Sequence, residues 1–141
     1  MLKTVAFFVI FLLVLLPFQN VFALDGTQRI ELRNPRLVNA FGESVSQNIN
    51  TYQQVQVQTD VTNKQNIPQN FVYIVQILNK DGVTLKLTWI SASLNPHQTL
   101  SPAISWVTDN PGTYTAEIYV WDSVKDAYAL TPPIELKIIV S

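Results

Sequence analysis

Residues 110–121, Asn110-Pro111-Gly112-Thr113-Tyr114-Thr115-Ala116-Glu117-Ile118-Tyr119-Val120-Trp121, hold the turn and the strand that decide the fold. Asn-Pro-Gly is turn chemistry, because proline fixes its own φ and glycine admits backbone angles that a Cβ forbids. From Thr113 onward the chain alternates. Tyr114, Ala116, Ile118 and Val120 fall on one face, and Thr115, Glu117, Tyr119 and Trp121 on the other. A period of two with one apolar face predicts a strand half buried against a core.

The same pattern extends in both directions. Downstream, residues 122–133 read as a loop, and a last strand turns Ile134, Leu136, Ile138 and Val140 inward and Glu135 and Lys137 outward. Upstream, a short strand over residues 103–107 is bounded by Pro102 and Thr108-Asp109-Asn110, and Asn95-Pro96-His97-Gln98 is a turn. Before it lies a strand from Val83 to about Ala92, with Leu85, Leu87 and Trp89 on one side and Lys86 and Thr88 on the other. Asn79-Lys80-Asp81-Gly82 joins it to residues 71–78, which are apolar everywhere but Gln76 and so predict a central strand. Val55, Val57, Thr59 and Val61 alternate with Gln54, Gln56, Gln58 and Asp60, and a strand around residues 36–41 brings the count to seven. Seven short strands with turn residues between them predict an all-β, antiparallel sandwich. Residues 24–34 keep neither period for long and are expected to form a loosely ordered N-terminal arm, so the sandwich domain is placed at 35–141.

The first 23 residues read differently. Lys3 gives a positive start, residues 5–16 are an unbroken apolar run, and Val21 and Ala23 are small residues at the positions a signal peptidase reads. A cleaved secretory leader over residues 1–23 is expected, and with it a secreted or cell-surface protein. A run of twelve is short for a span of about 20 residues, so a membrane contact is expected only if the leader stays uncleaved. The remaining 118 of the 141 residues form one domain, large enough for a core without staples. There is no cysteine, so no disulfide can contribute. Nine basic and ten acidic residues, with Lys3 lost in the leader, leave a net charge near −2 and no basic cluster. Nucleic acid is therefore not an expected partner.

Residues 110–116 resemble the start of strand F in immunoglobulin-like domains, where Asn110, Gly112 and Tyr114 would form a tyrosine corner and Ala116 stands where antibody domains carry cysteine. Residues 46–63, with their polar lead-in, alternating valines and closing Val61-Thr62-Asn63, resemble the early strands of CARDB and fibronectin type III sandwiches. Together with Tyr119-Val120-Trp121, the chain is similar to the secreted immunoglobulin-like domains common in ammonia-oxidising archaea. That resemblance implies a fold and says little about activity, because sandwiches host many roles.

The residue inventory excludes most chemistry. His97 is the only imidazole and sits in a turn, and no serine lies in a Gly-x-Ser-x-Gly elbow, so no catalytic residue is assigned. Copper and zinc sites fail for want of a second histidine and any cysteine, and no metal or cofactor is expected. Asp122 and Asp126 could contribute to a calcium loop and Asp109, Glu117 or Asp122 to a carboxylate pair, but neither spacing matches its motif, and solvated loops are the simpler reading. The aromatics remain. Tyr119 and Trp121, with Trp106 and Tyr128 in neighbouring segments, form a candidate binding strip for sugar rings or a protein surface. The alternation of Gln54, Gln56 and Gln58 offers a second polar face for glycan contact. The expectation is an exported, non-catalytic binding or structural module that meets a surface protein or a glycan. The alternative is a small secreted hydrolase or hydrolase inhibitor presenting a loop.

Overall fold

The computed structural model describes residues 25–141; the leader expected at residues 1–23 lies outside them. After a single 3-10 turn at Gly26–Gln28 come β1 (Ile30–Val38), β2 (Ser44–Val45), β3 (Asn48–Ile49), β4 (Val55–Asn63) and β5 (Gln69–Asn79). They are followed by β6 (Thr84–Leu94), β7 (Thr99–Leu100), β8 (Ala103–Trp106), β9 (Gly112–Trp121) and β10 (Ile134–Val140). Ten strands replace the expected seven because β2, β3 and β7 are two-residue pairings too short to carry a sequence period.

The strands form two five-stranded sheets. One runs β2-β1-β4, with both β7 and β8 on the far side of β4; the other runs β3-β10-β9-β5-β6. Every pairing is antiparallel except β3 with β10. In immunoglobulin terms β10, β9, β5 and β6 take the places of strands G, F, C and C′. The fold is an all-β sandwich.

Residues 30–34 are not a loose arm. They open β1, and the strand expected at 36–41 ends instead at Val38. The reason is a bulge: the pairing with β4 shifts register between Arg33 and Arg36, and Asn34 takes φ +52°. Asn34 and Pro35 together stand opposite the single residue Thr59, and this one extra residue breaks the alternation that Ile30 and Leu32 begin and Leu37 resumes. The bulge is tied down by Asp60, whose carboxylate accepts from the Asn34 amide at 2.9 Å, Arg36 Nη2 at 3.0 Å and Ser101 Oγ at 2.7 Å. The Asn34 bond, with those from Ser101 and Arg36, holds the Asp60 carboxyl below its ordinary range.

Phe41 sits in the turn that follows, almost fully exposed. That turn, Asn39-Ala40-Phe41-Gly42-Glu43, is built like Asn79-Lys80-Asp81-Gly82-Val83. In each, the asparagine N–H donates to the carbonyl four residues on, and its Oδ1 accepts from the second and fourth N–H groups. Gly42 and Gly82 supply the positive φ, at +81° and +75°.

The core lies between the inner faces of the two sheets. Val55, Val57 and Val61 of β4 meet Tyr73, Val75 and Ile77 of β5 and Ala116, Ile118 and Val120 of β9. Two tyrosines bridge the sheets. Tyr73 donates its hydroxyl to the Val57 carbonyl at 3.2 Å, and burial pushes that hydroxyl's pKa up to about 12. Tyr114 meets Trp106 edge to face, ring centroids 5.1 Å apart, and donates to the Asn110 carbonyl at 2.7 Å. Gly112, between them in sequence, has φ +154°, and a Cβ there would lie 3.7 Å from the Tyr114 ring. Asn110, Gly112 and Tyr114 thus form one closed corner at the head of β9.

Candidate functional site

The antiparallel registers fix which side chains share the outer face of the second sheet. Across β9, β5 and β6 the rows are Trp121, Val72 and Ser91; then Tyr119, Ile74 and Trp89; then Glu117, Gln76 and Leu87. Val72 and Ile74 lie on this outer face and yet are buried, each flanked by at least one aromatic ring. Tyr119 and Trp121 touch edge to face with centroids 6.1 Å apart. The Tyr119 hydroxyl donates to Glu117, and that bond, reinforced by burial and by the charges of Glu117 and Glu135, raises its pKa to about 12.

Tyr119 and Trp121 therefore come together, and the other two expected members of the strip do not join them. Trp106 does not lie on this face. It pairs with Val55 on the inner face of the first sheet, only 5% exposed, because the alternation of β8 turns Ile104 and Trp106 toward the core. Tyr128 stands exposed on the loop after β9. The tryptophan that does join the face is Trp89, 49% exposed. Its strand's two sides are those the alternation separates, but the apolar side faces solvent. Lys86 and Thr88 lie on the inner side, where Lys86 reaches over the rim of the sandwich to the Ser105 carbonyl at 3.0 Å. Only the partner strands distinguish inner from outer here, so no local pattern could have found Trp89.

Beside the aromatics lies an open cleft of about 680 Å³. Trp89, Ser91 and Ser93 of β6 form one wall, Asn70 and Val72 of β5 the floor, and residues 122–125 the other wall. That second wall is rigidly built. The Asp122 carboxylate accepts from the N–H groups of Ser123 at 2.6 Å and Tyr128 at 3.0 Å, the Asp122 N–H donates to the Tyr128 carbonyl at 2.9 Å, and Ser123 Oγ accepts from the Asp126 N–H at 3.0 Å. One Asp122 oxygen is thus committed to closing the loop, and Asp126 is engaged there through its backbone.

The remaining expected candidates are scattered. Glu117 and Asp122 are five residues apart along an extended strand, roughly 16 Å, well beyond the 5–10 Å that glycosidic carboxylates need. Asp109 lies before β9, at the end away from Asp122. His97 is exposed in its turn, with φ +58°, and its Nε2 meets the Asn66 side chain at 2.7 Å. Among the described residues no three histidine, aspartate or glutamate side chains converge as metal ligands would. On the other sheet Gln58 donates to the Ser101 carbonyl at 3.2 Å, and both Gln56 and Gln58 are half-buried.

No protein-family model matches the sequence, and no curated protein matches it. Solved structures share the architecture. The C-terminal domain of wzt superposes with a TM-score of 0.63 at 16% identity, covering 83% of this chain and 76% of that one. The CARDB domain of the PF1109 protein from Pyrococcus furiosus, solved with di-metal ions, superposes at 0.55 with 14% identity, covering 84% and 97%. A β-glucuronidase of glycoside hydrolase family 2 matches at 0.54 and 12% identity over 62% of this chain, which spans only 10% of that enzyme. These likenesses show the fold, an immunoglobulin-like sandwich.

Proposed function

We propose that this chain is an extracytoplasmic, non-catalytic binding module that holds a glycan on the outer face of β9, β5 and β6. One observation carries the reading: the half-exposed Trp89 ring stands in the wall of a cleft whose other surfaces carry the Ser91 and Ser93 hydroxyls, the Asn70 amide and the Lys125 ammonium. A pyranose presents a C–H face that packs on an aromatic ring and a rim of hydroxyls that needs donors and acceptors nearby, and the cleft offers both. Its openness suits the middle of a sugar chain better than a small molecule that must be enclosed. The leader read at residues 1–23 supports a site outside the cytoplasm, in contact with the cell surface. The engagement of Asp122 in its own loop and the distance of Glu117 from it support binding without turnover.

A protein partner docking on the same face is the second reading, favoured by Tyr119 and Trp121 beside the cleft. Screening the purified protein on a glycan array and titrating the hits by tryptophan fluorescence distinguishes the two. Trp89→Ala is expected to weaken glycan binding at least tenfold while the melting temperature moves by no more than about 3 °C. Absence of any glycan binding, or affinity unchanged in Trp89→Ala, refutes the glycan reading.

A further inference from the structure

The second sheet ends in a strand that nothing covers among the described residues. β6 runs for eleven residues at the edge, with Leu85 and Leu87 each 53% exposed beside Trp89, and with Val83 and Ile90 also open to solvent. Its outward-pointing N–H and C=O groups have no partner strand among the described residues. At the other edges the outermost strands are short, and the stretches of β1 and β10 beyond them carry charges, Glu31, Arg33 and Arg36 on one and Glu135 and Lys137 on the other. β2, β3 and β7 are two residues long and β8 is four. Edges of β6's length and apolarity are ordinarily shielded by prolines, by charges, by bulges or by a covering loop. β6 has no proline and a single charge, Lys86, and its one bulge, at Leu85, lies near the turn and leaves residues 86–94 in unbroken register with β5.

We infer that β6 pairs antiparallel with β6 of a second copy of this chain, joining two five-stranded sheets into one of ten. A register centred on Trp89 sets Leu87 opposite Ser91 of the second copy, Thr88 opposite Ile90, and the two indoles against each other. The one charge on the strand, Lys86, falls opposite Ala92, so no like charges meet. An extended peptide from elsewhere would also meet the edge, but this register complements the strand with its own sequence. The exposed halves of these side chains leave on the order of 300 Å² of apolar surface per copy. Two copies together stay below the roughly 1,000 Å² of a permanent interface, and the unpaired backbone edge adds hydrogen bonds, so the dimer is a reversible one. A two-fold axis normal to the sheet puts both clefts on the same side, and the pair thereby presents two sites on one continuous surface.

Sedimentation of the purified protein tests association, and cross-linking tests the register. The weight-average mass should rise from monomer toward dimer between about 1 µM and 1 mM, and Trp89→Lys, which brings two ammonium groups together at the axis, should leave it at the monomer value. The chain has no cysteine, so introduced thiols report cleanly. Leu87→Cys/Ser91→Cys should form intermolecular disulfides under mild oxidation, while each single variant, whose thiols would lie about 13 Å apart across the axis, should not. A chain monomeric at all concentrations overturns the inference, even if it takes up an added peptide. So does a dimer that Trp89→Lys leaves intact, or one that the single cysteines link as fast as the double variant.

Discussion

Replacing Tyr114 by phenylalanine removes one oxygen and leaves the ring that packs on Trp106 in place. The hydroxyl lost is the one that donates to the Asn110 carbonyl at 2.7 Å. Asn110 lies in an exposed turn, so water can reach its carbonyl once the hydroxyl is gone, and no buried acceptor is left unpaired. The expected cost is therefore the net value of one hydrogen bond, about 1 kcal/mol, without a desolvation penalty on top. For a domain of this size that is a fall of about 4 °C in melting temperature. Tyr114→Ala, by contrast, also empties the space beside Trp106 and should cost about 3–5 kcal/mol. Urea titration followed by tryptophan fluorescence should give Tyr114→Phe a lower midpoint with an unchanged slope. A midpoint equal to wild type within error would refute the view that the corner hydroxyl stabilises the fold. A loss near that of Tyr114→Ala would show that the ring contact depends on the hydroxyl.

The two tryptophans on opposite faces predict opposite outcomes: Trp106→Ala should lose about 3–5 kcal/mol in thermal or denaturant melts, while Trp121→Ala, at the half-exposed outer surface, should lose no more than about 1–2 kcal/mol. Comparable losses for both would count against this assignment of faces. Asp60 sets a pH dependence. Its folded pKa lies below the unfolded value of 3.8, so its contribution is present above that value and is lost as the pH falls through the folded pKa. Wild type should exceed Asp60→Asn by on the order of 1 kcal/mol at pH 7, and the gap should close as the pH falls below about 4. A gap independent of pH in paired melting curves would exclude the carboxylate as its source.

How much of this was legible in the sequence depended on whether a strand's partners matter. β4 and β9 alternate because each has one face on the core, and their inward residues could be named from the period alone. Trp106 and Trp89 both sit in alternating strands as well. Nothing local shows that β8 turns its tryptophan inward under β4 while β6, at an edge, turns its own outward. β1 was hidden by two residues, since Asn34 and Pro35 read as a break when they are a bulge within a continuous strand. The cleft was invisible for the same reason as Trp89, because its two walls are separated by about thirty residues and meet only through β5. The repeated Asn-x-x-Gly spacing was the one unused local clue. It marks the turn after β1 as clearly as Asp81-Gly82 marks the turn after β5.

That second turn has a kinetic consequence. Most pairings here join distant segments: β1 waits for β4, β3 for β10, and β5 reaches β9 only after β6, β7 and β8 have been laid down. Closing such loops costs entropy before any contact offsets it, so chains of this topology fold in milliseconds to seconds. The Asn79–Gly82 turn lets β5 and β6 zip together with almost no loop to close, in about 1–10 µs for a hairpin. The first ordered piece of the molecule is then its most apolar strand paired with its most open one, and until β9 arrives β5 is bare along one side. Chain concentration during refolding thus becomes a control on yield, because the hairpin can meet another hairpin before it meets the rest of its own chain.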